Sequence, residues 1–308
     1  MKTSNSLFGQ PKIVQALSLI ALSSSVLLLS FLLISNGDEN SLTTNTSVEI
    51  HDIHGLQVDI ENSNRVYLSS HTGLYVHDDN AMISKIGKFT GDLMGFTISP
   101  INTNTFYASG HPSLQDGGGS FGLIGSKDGG ITWKQISSGL NGPADYHTLA
   151  LDPKNENIIY GYYDGKIQKT SNGGKTWEYL EASPKNIIQL QPGKKANQLY
   201  AATTNGLHVS NNGGQNWTLV SFSNQTVIAC KVEPASGKII AFTSELGLVY
   251  SEKDNDWQQV NFGDNESEIV LHIAFSATDP KKVYLITQSL KLFHSTDGGL
   301  TWKLLHIL

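Results

Sequence analysis

The chain has 308 residues, 21 Lys+Arg against 27 Asp+Glu, a net charge of −6 and a single cysteine, Cys230. That balance lacks the basic stripe of a nucleic-acid binder, and one cysteine excludes both a disulfide framework and a Cys-rich zinc module. Thirty glycines and only 16% charged residues exclude a long-helix or coiled-coil protein.

In chain order, the first element is a membrane segment. Residues 13–35 carry no charge over 23 positions, and a helix needs about 20 to cross the hydrocarbon core. Lys2 and Lys12 precede it, while Asp38 and Glu39 follow. The positive-inside rule puts residues 1–12 in the cytoplasm and everything after residue 35 outside. A cleaved signal peptide is the competing reading. The length of the run favours an uncleaved anchor, since signal peptides carry apolar regions of about 7–15 residues. The polar stretch 36–50 reads as a tether.

From residue 51 to 308 the sequence repeats. SKDGGITW (126–133), TSNGGKTW (170–177), SNNGGQNW (210–217) and STDGGLTW (295–302) align with one another, and SEKDNDW (251–257) is a shortened fifth copy. The tryptophans 133, 177, 217, 257 and 302 stand 44, 40, 40 and 45 residues apart. Upstream of each box lies an apolar strand, a polar turn and a second strand with Tyr or Phe, as in GLQVDIENSNRVYLSS. Six such starts occur, the first followed by a degenerate turn. A period near 43 residues holds four short strands, which is one propeller blade. The expected fold is therefore all-β: a single β-propeller of six blades, with seven as the alternative, behind an N-terminal transmembrane helix.

The boxes resemble the Asp-box, or BNR, repeat, Ser-x-Asp-x-Gly-x-Thr-Trp. The chain looks most like bacterial glycosyl-hydrolase-like Asp-box proteins, related to sortilin-type and Ycf48-type propellers. The resemblance does not extend to sialidase chemistry. The sialidases of this repeat family grip a carboxylate with three arginines, and Arg65 is the one arginine here.

A structural role is expected for Ser126, Asp128, Gly130 and Trp133, and for Asn172, Gly174 and Trp177. The same holds for Asn212, Gly214 and Trp217, and for Asp297, Gly299 and Trp302. The glycines supply positive φ and the Asp or Asn oxygen accepts backbone N–H bonds. A calcium loop would need several carboxylates per turn. The buried indole of Trp177 is expected to cost about 3–5 kcal/mol on truncation to Ala, on a face remote from any site.

The candidate site lies at the opposite end of the ring. Asp52, Asp92 and Asp145 head the inner strands of the first three blades, with His54, His147 and His272 near the same register. Residues two apart share a side of a strand, so Asp52 is expected to pair with His54 and Asp145 with His147. A Gly-rich insertion (111–119) between the second and third strands of blade two carries His111 and Asp116 to the same mouth. Such a cluster suits a divalent metal or, through its carboxylates, acid–base work on a glycosidic bond. The other histidines, His71 among them, read as surface or hairpin residues, and Cys230 as a buried small hydrophobe. The expected function is extracytoplasmic binding of a glycan or protein ligand, with a glycoside hydrolase or lyase as the alternative; no nucleic-acid partner is expected.

Overall fold

The computed structural model describes residues 50–78, 83–113, 117–252, 256–262, 265 and 267–308. The apolar run 13–35, the tether up to residue 49, and Asp116 lie outside the described residues. Among the described residues, no helix is long and apolar enough to cross a membrane.

Among the described residues every element is a strand. Blade one holds β1 (Ile53–Val58), β2 (Val66–Ser70), β3 (Gly73–His77) and β4 (Ile83–Ile86). Blade two holds β5 (Met94–Ile98), β6 (Phe106–Ser109), β7 (Leu123–Ser126) and β8 (Lys134–Ser137). Blade three holds β9 (Thr148–Asp152), β10 (Asn155–Tyr163), β11 (Lys166–Thr170) and β12 (Glu178–Tyr179). Blade four holds β13 (Ile187–Pro192), β14 (Leu199–Thr203), β15 (Gly206–Ser210) and β16 (Thr218–Ser221). Blade five holds β17 (Val227–Val232), β18 (Ile239–Thr243), β19 (Gly247–Ser251) and β20 (Trp257–Gln259). Blade six holds β21 (Val270–Phe275), β22 (Val283–Thr287), β23 (Lys291–Ser295) and β24 (Lys303–Ile307). Each blade is a four-stranded antiparallel sheet of consecutive strands, so the architecture is a six-bladed β-propeller.

The core is divided among the seams between blades. Six apolar clusters each join two neighbours, for example Leu74 of blade one with Phe96 and Phe106 of blade two. The sixth closes the ring, packing Ile53, Leu56 and Leu68 of blade one on Tyr284, Ile286 and Leu292 of blade six. Among the described strands none is shared across that seam. Side chains carry the closure, helped by a hydrogen bond from the Tyr284 hydroxyl to the Ser63 carbonyl (2.9 Å). Ile50, which the sequence places at the end of the tether, is 4% exposed and sits in this closing cluster. His77, read from sequence as a surface residue, is buried there too, with its ring 6.0 Å from that of His306.

The Asp boxes are self-contained knots. In blade two the Asp128 carboxylate accepts from Ser126 Oγ (2.8 Å), Thr132 N (2.9 Å) and Thr132 Oγ1 (2.6 Å). Ser126 Oγ accepts from Gly130 N (2.8 Å), and Trp133 Nε1 donates to the Gly130 carbonyl (3.0 Å). The same bonds recur around Asp297, with Trp302 Nε1 on the Gly299 carbonyl. Asn172 and Asn212 do the work with an amide oxygen, accepting from the backbone N of Thr176 and Asn216. The second glycine also sets the distance between blades. A Cβ on Gly299, at φ 89°, would come within 2.3 Å of Ile240 Cδ1 of blade five. Trp177 is half-buried rather than buried, so its expected cost falls below that of a full core aromatic.

Candidate functional site

Four connections build the mouth: the approach to β1, the β2–β3 turn, the β4–β5 connection and the β6–β7 loop. Backbone bonds stitch them together. Asp92 N donates to the His111 carbonyl (3.0 Å), and Leu93 N donates to the Ser70 carbonyl (3.1 Å). Gly110, at φ 117°, permits this approach, since a Cβ there would stand 2.3 Å from the Asp92 carbonyl oxygen.

Asp92 is the centre, with its side chain 3% exposed. Three imidazoles surround its carboxylate. His54 Nε2 lies 3.6 Å from Oδ1, His71 Nδ1 3.0 Å from Oδ2, and His111 Nε2 3.4 Å from Oδ2. The far nitrogen of His71 faces Asp52 Oδ2 at 3.5 Å, and the rings of His54 and His71 meet edge-on at 4.2 Å. One ligand atom each from His54, His71 and Asp92 lies within 4.8 Å of the others. Burial pushes the His54 imidazole down to about 4 against the opposing pull of Asp92. His71 is raised, chiefly by its hydrogen bond to Asp92.

The pairing expected from strand alternation is not what forms. Asp52 meets His71, and His54 meets Asp92. The reason is a bulge: Ile53 pairs with Ser70 and Gly55 with Ser69, so His54 is the extra residue of β1. A bulge re-aims a side chain and interrupts the period of two. The three aspartates do not share a register either. They stand one, two and three residues ahead of the first paired residues Ile53, Met94 and Thr148. The loops bring them to one mouth.

His272 takes another role. β21 has its own bulge, with Val270 opposite Thr287 and His272 opposite Ile286, so His272 matches Gly55 and not His54. Its Nε2 lies 3.2 Å from the Ile53 carbonyl and its Nδ1 3.2 Å from Gln189 Nε2. These partners fix one neutral tautomer, with Nε2–H donating and Nδ1 accepting. Burial pushes its pKa down to about 4. His272 thus ties blades six, one and four across the channel and has no nitrogen left for a ligand.

Asp145 and His147 do pair, at 3.2 Å between Oδ2 and Nε2. Between them Tyr146 turns inward, fully buried, its hydroxyl donating to Gln168 Oε1 at 2.6 Å and its ring stacked 5.2 Å from that of Trp177. That anchor fixes the outward pair, and the hydrogen bond to Asp145 raises the His147 pKa. It also places Trp177 one ring away from the site, closer than the opposite-face expectation allowed. An open pocket of about 300 Å³ adjoins the pair, lined by Asp145, His147, Tyr162, Tyr163, Asp164 and Ile187 among others.

Sequence reasoning missed His71 and the Tyr162–Asp164 wall. His71 and Asp164 belong to turns between second and third strands, as His111 does, while Tyr162 and Tyr163 end the second strand of blade three. Asp164 (φ 50°) and Gly165 (φ 74°) form a two-residue hairpin turn, a signal that was available in the string YYDG.

The BNR/Asp-box repeat model matches residues 293–304. No curated protein matches the chain. Among solved structures, a GH74 enzyme of Niastella koreensis is similar at 17% identity and TM-score 0.56, over 82% of this chain and 46% of that one. A GH74 xyloglucanase of Xanthomonas campestris is similar at 15% and 0.55, over 83% and 45%. The extracellular domain assigned to a hybrid two-component system of B. thetaiotaomicron is similar at 13% and 0.55, over 84% and 33%. The chain spans less than half the length of each of these three, and at such identities the likeness is one of fold. Repeat and ring together identify the chain as a six-bladed β-propeller carrying the BNR/Asp-box repeat.

Proposed function

We propose that this protein is an extracytoplasmic binding propeller, held at the membrane by residues 13–35, that recognises a glycan or protein ligand at the mouth lined by blades one to four. The observation that carries this reading is the pocket beside His147. It combines two tyrosines, an apolar Ile187 and the carboxylates of Asp145 and Asp164 in one open concavity. Aromatic faces with flanking acceptors suit the alternating apolar and hydroxyl surface of a sugar.

A hydrolase at the neighbouring cluster is the second reading, favoured by the GH74 likeness in fold. The geometry argues against it. A glycosidase needs its two carboxylates to flank the scissile bond, with room between them. The His71 ring stands between Asp52 and Asp92, and Asp92 is almost wholly buried.

The test is a glycan array probed with the full chain, together with incubation on xyloglucan and related polysaccharides. Retained binding without release of new reducing ends is expected, and His147→Ala should abolish it. Release of reducing ends that disappears in Asp92→Asn would overturn the reading in favour of hydrolysis.

A further inference from the structure

We propose that His54 Nε2, His71 Nδ1, His111 Nε2 and the Asp92 carboxylate form a site for one divalent transition-metal ion of zinc's kind, clamping blade one to blade two. The proposal stands independently of what the neighbouring pocket recognises.

The first argument is unsatisfied polarity. Asp92 is 2% exposed, yet its Oδ1 has no hydrogen-bond partner, and neither has the buried Nε2 of His54 that faces it. Burying a carboxylate oxygen and an imidazole nitrogen face to face, without a bond between them, is costly. A cation between them removes that cost.

The second argument is orientation from behind. In metal sites, a ligating histidine donates its far N–H to a carboxylate or carbonyl, which fixes the tautomer and turns the other lone pair to the metal. His71 has Asp52 Oδ2 at 3.5 Å from its far nitrogen. His111 has the Pro112 carbonyl 3.2 Å from Nδ1, which leaves Nε2 facing Asp92. Two separate histidines are thus arranged in the same sense around one buried carboxylate.

The third argument is spacing. Ligands bound to zinc at about 2.0–2.1 Å stand about 3.3–3.4 Å apart along the edges of a tetrahedron. His54 and His71 stand 3.6 and 3.0 Å from the Asp92 oxygens, and the ligand atoms of these three residues lie within 4.8 Å of one another. His111 stands outside that group, 3.4 Å from Asp92 Oδ2, and joins the ion by a small turn of its half-exposed side chain. Three imidazoles with one carboxylate favour zinc over calcium or magnesium, which prefer oxygen ligands. The ligands come from β1, the β2–β3 turn, the β4–β5 connection and the β6–β7 loop, so binding joins one strand and three connections of two blades.

The experiment uses the full chain, purified without a histidine tag, stripped with a chelator and titrated with zinc chloride. One equivalent should bind, thermal stability should rise with free zinc, and cobalt(II) should give the visible absorption of a tetrahedral site. His71→Ala and His111→Ala change residues whose side chains are 46% and 42% exposed, so both variants should fold; each should weaken zinc binding at least tenfold. Asp52→Asn acts through His71 as a positioning change and should weaken it about 10–100-fold. His147→Ala should bind zinc like the wild type, even where it loses the funnel ligand, which separates failure of one reading from failure of the other. A stripped chain that takes up no zinc, or equal binding by wild type and both histidine variants, overturns the proposal.

Discussion

Asp128 and Asp92 are the same residue in two opposed settings. Asp128 lies in an exposed turn where serine and threonine hydroxyls and a backbone amide meet its oxygens. Those bonds, led by that of the Thr132 hydroxyl, hold its carboxyl down to about 2. Asp92 is buried among three imidazoles, with one oxygen unpartnered. The box completes its own hydrogen bonding and repeats from blade to blade. The cluster draws on one strand and three connections, occurs once among the described residues, and leaves polar groups open. A turn that satisfies itself is architecture, whereas a buried cluster that does not is poised for something external.

The largest effect should come from disturbing the boxes. Gly299→Ala forces a side chain into φ 89° and into Ile240 of blade five, and should cost about 3–4 kcal/mol, combining strain with overpacking. Urea unfolding measures it; a loss below about 1 kcal/mol, no more than an average substitution, would mean that the second glycine does not set the seam.

Acid should separate the two regions by pH window. His272 and His54 are partly buried and both pushed down to about 4, so the unfolded chain binds their protons first, and stability falls as pH drops from about 6.5 to 4, with His272 contributing on the order of 3 kcal/mol. The box carboxylates Asp128 and Asp297 are held down to about 2. Their contribution is present above the ordinary carboxylate range and is lost only as pH falls from about 4 towards 2. At Asp297, desolvation opposes that depression and the hydrogen bonds from Thr301, Ser295 and Leu300 outweigh it. Unfolding midpoints at pH 7, 5 and 3 should show both windows, and His272→Gln should lessen the slope of the first alone, leaving the share of His54. A variant with the wild-type slope between pH 6.5 and 4 would remove His272 from that account.

Trp177→Ala tests the boundary between the regions. The indole is half-buried, donates to Ser137 Oγ and the Gly174 carbonyl, and stacks on Tyr146. Its loss should cost about 2 kcal/mol, less than a fully buried aromatic. Because Tyr146 lies between Asp145 and His147, the variant should also shift the His147 imidazole titration seen by NMR. An unchanged titration would keep the two faces independent.

The smallest effect on stability is expected at His147, whose side chain is 65% exposed. His147→Ala should move the unfolding free energy by no more than about 0.5 kcal/mol while abolishing funnel binding. A loss of stability comparable with that of Trp177→Ala would reassign the Asp145–His147 pair to the scaffold.

The ring was legible in the sequence because it is local. The tryptophan spacing and the paired glycines report turns whose partners lie within a few residues, and Asn172 could be recognised as a stand-in for Asp by position alone. The mouth was legible only as a list. Asp52, Asp92 and His54 were found from the ends of strands and His111 from its Gly-rich loop, but their partners were not, since a bulge at His54 reverses the alternation on which the pairing rested. His71 was passed over because a two-residue turn in a degenerate blade carries no motif. His272 was placed one position out of register for the same reason as His54: bulges are set by backbone pairing, which a single sequence does not print.

The closing seam has a kinetic consequence. Five of the six interfaces join blades that are neighbours along the chain, and each can form while its two blades emerge in order. The sixth, where Leu56 and Leu68 pack on Tyr284 and Ile286, awaits both ends of the ring. Without a shared strand among the described residues, nothing but apolar packing and a few polar contacts latches it. Opening at this joint breaks no ladder of backbone hydrogen bonds. It is therefore the cheapest large excursion open to the native ring, and the place where transient exposure would invite a protease or a second chain.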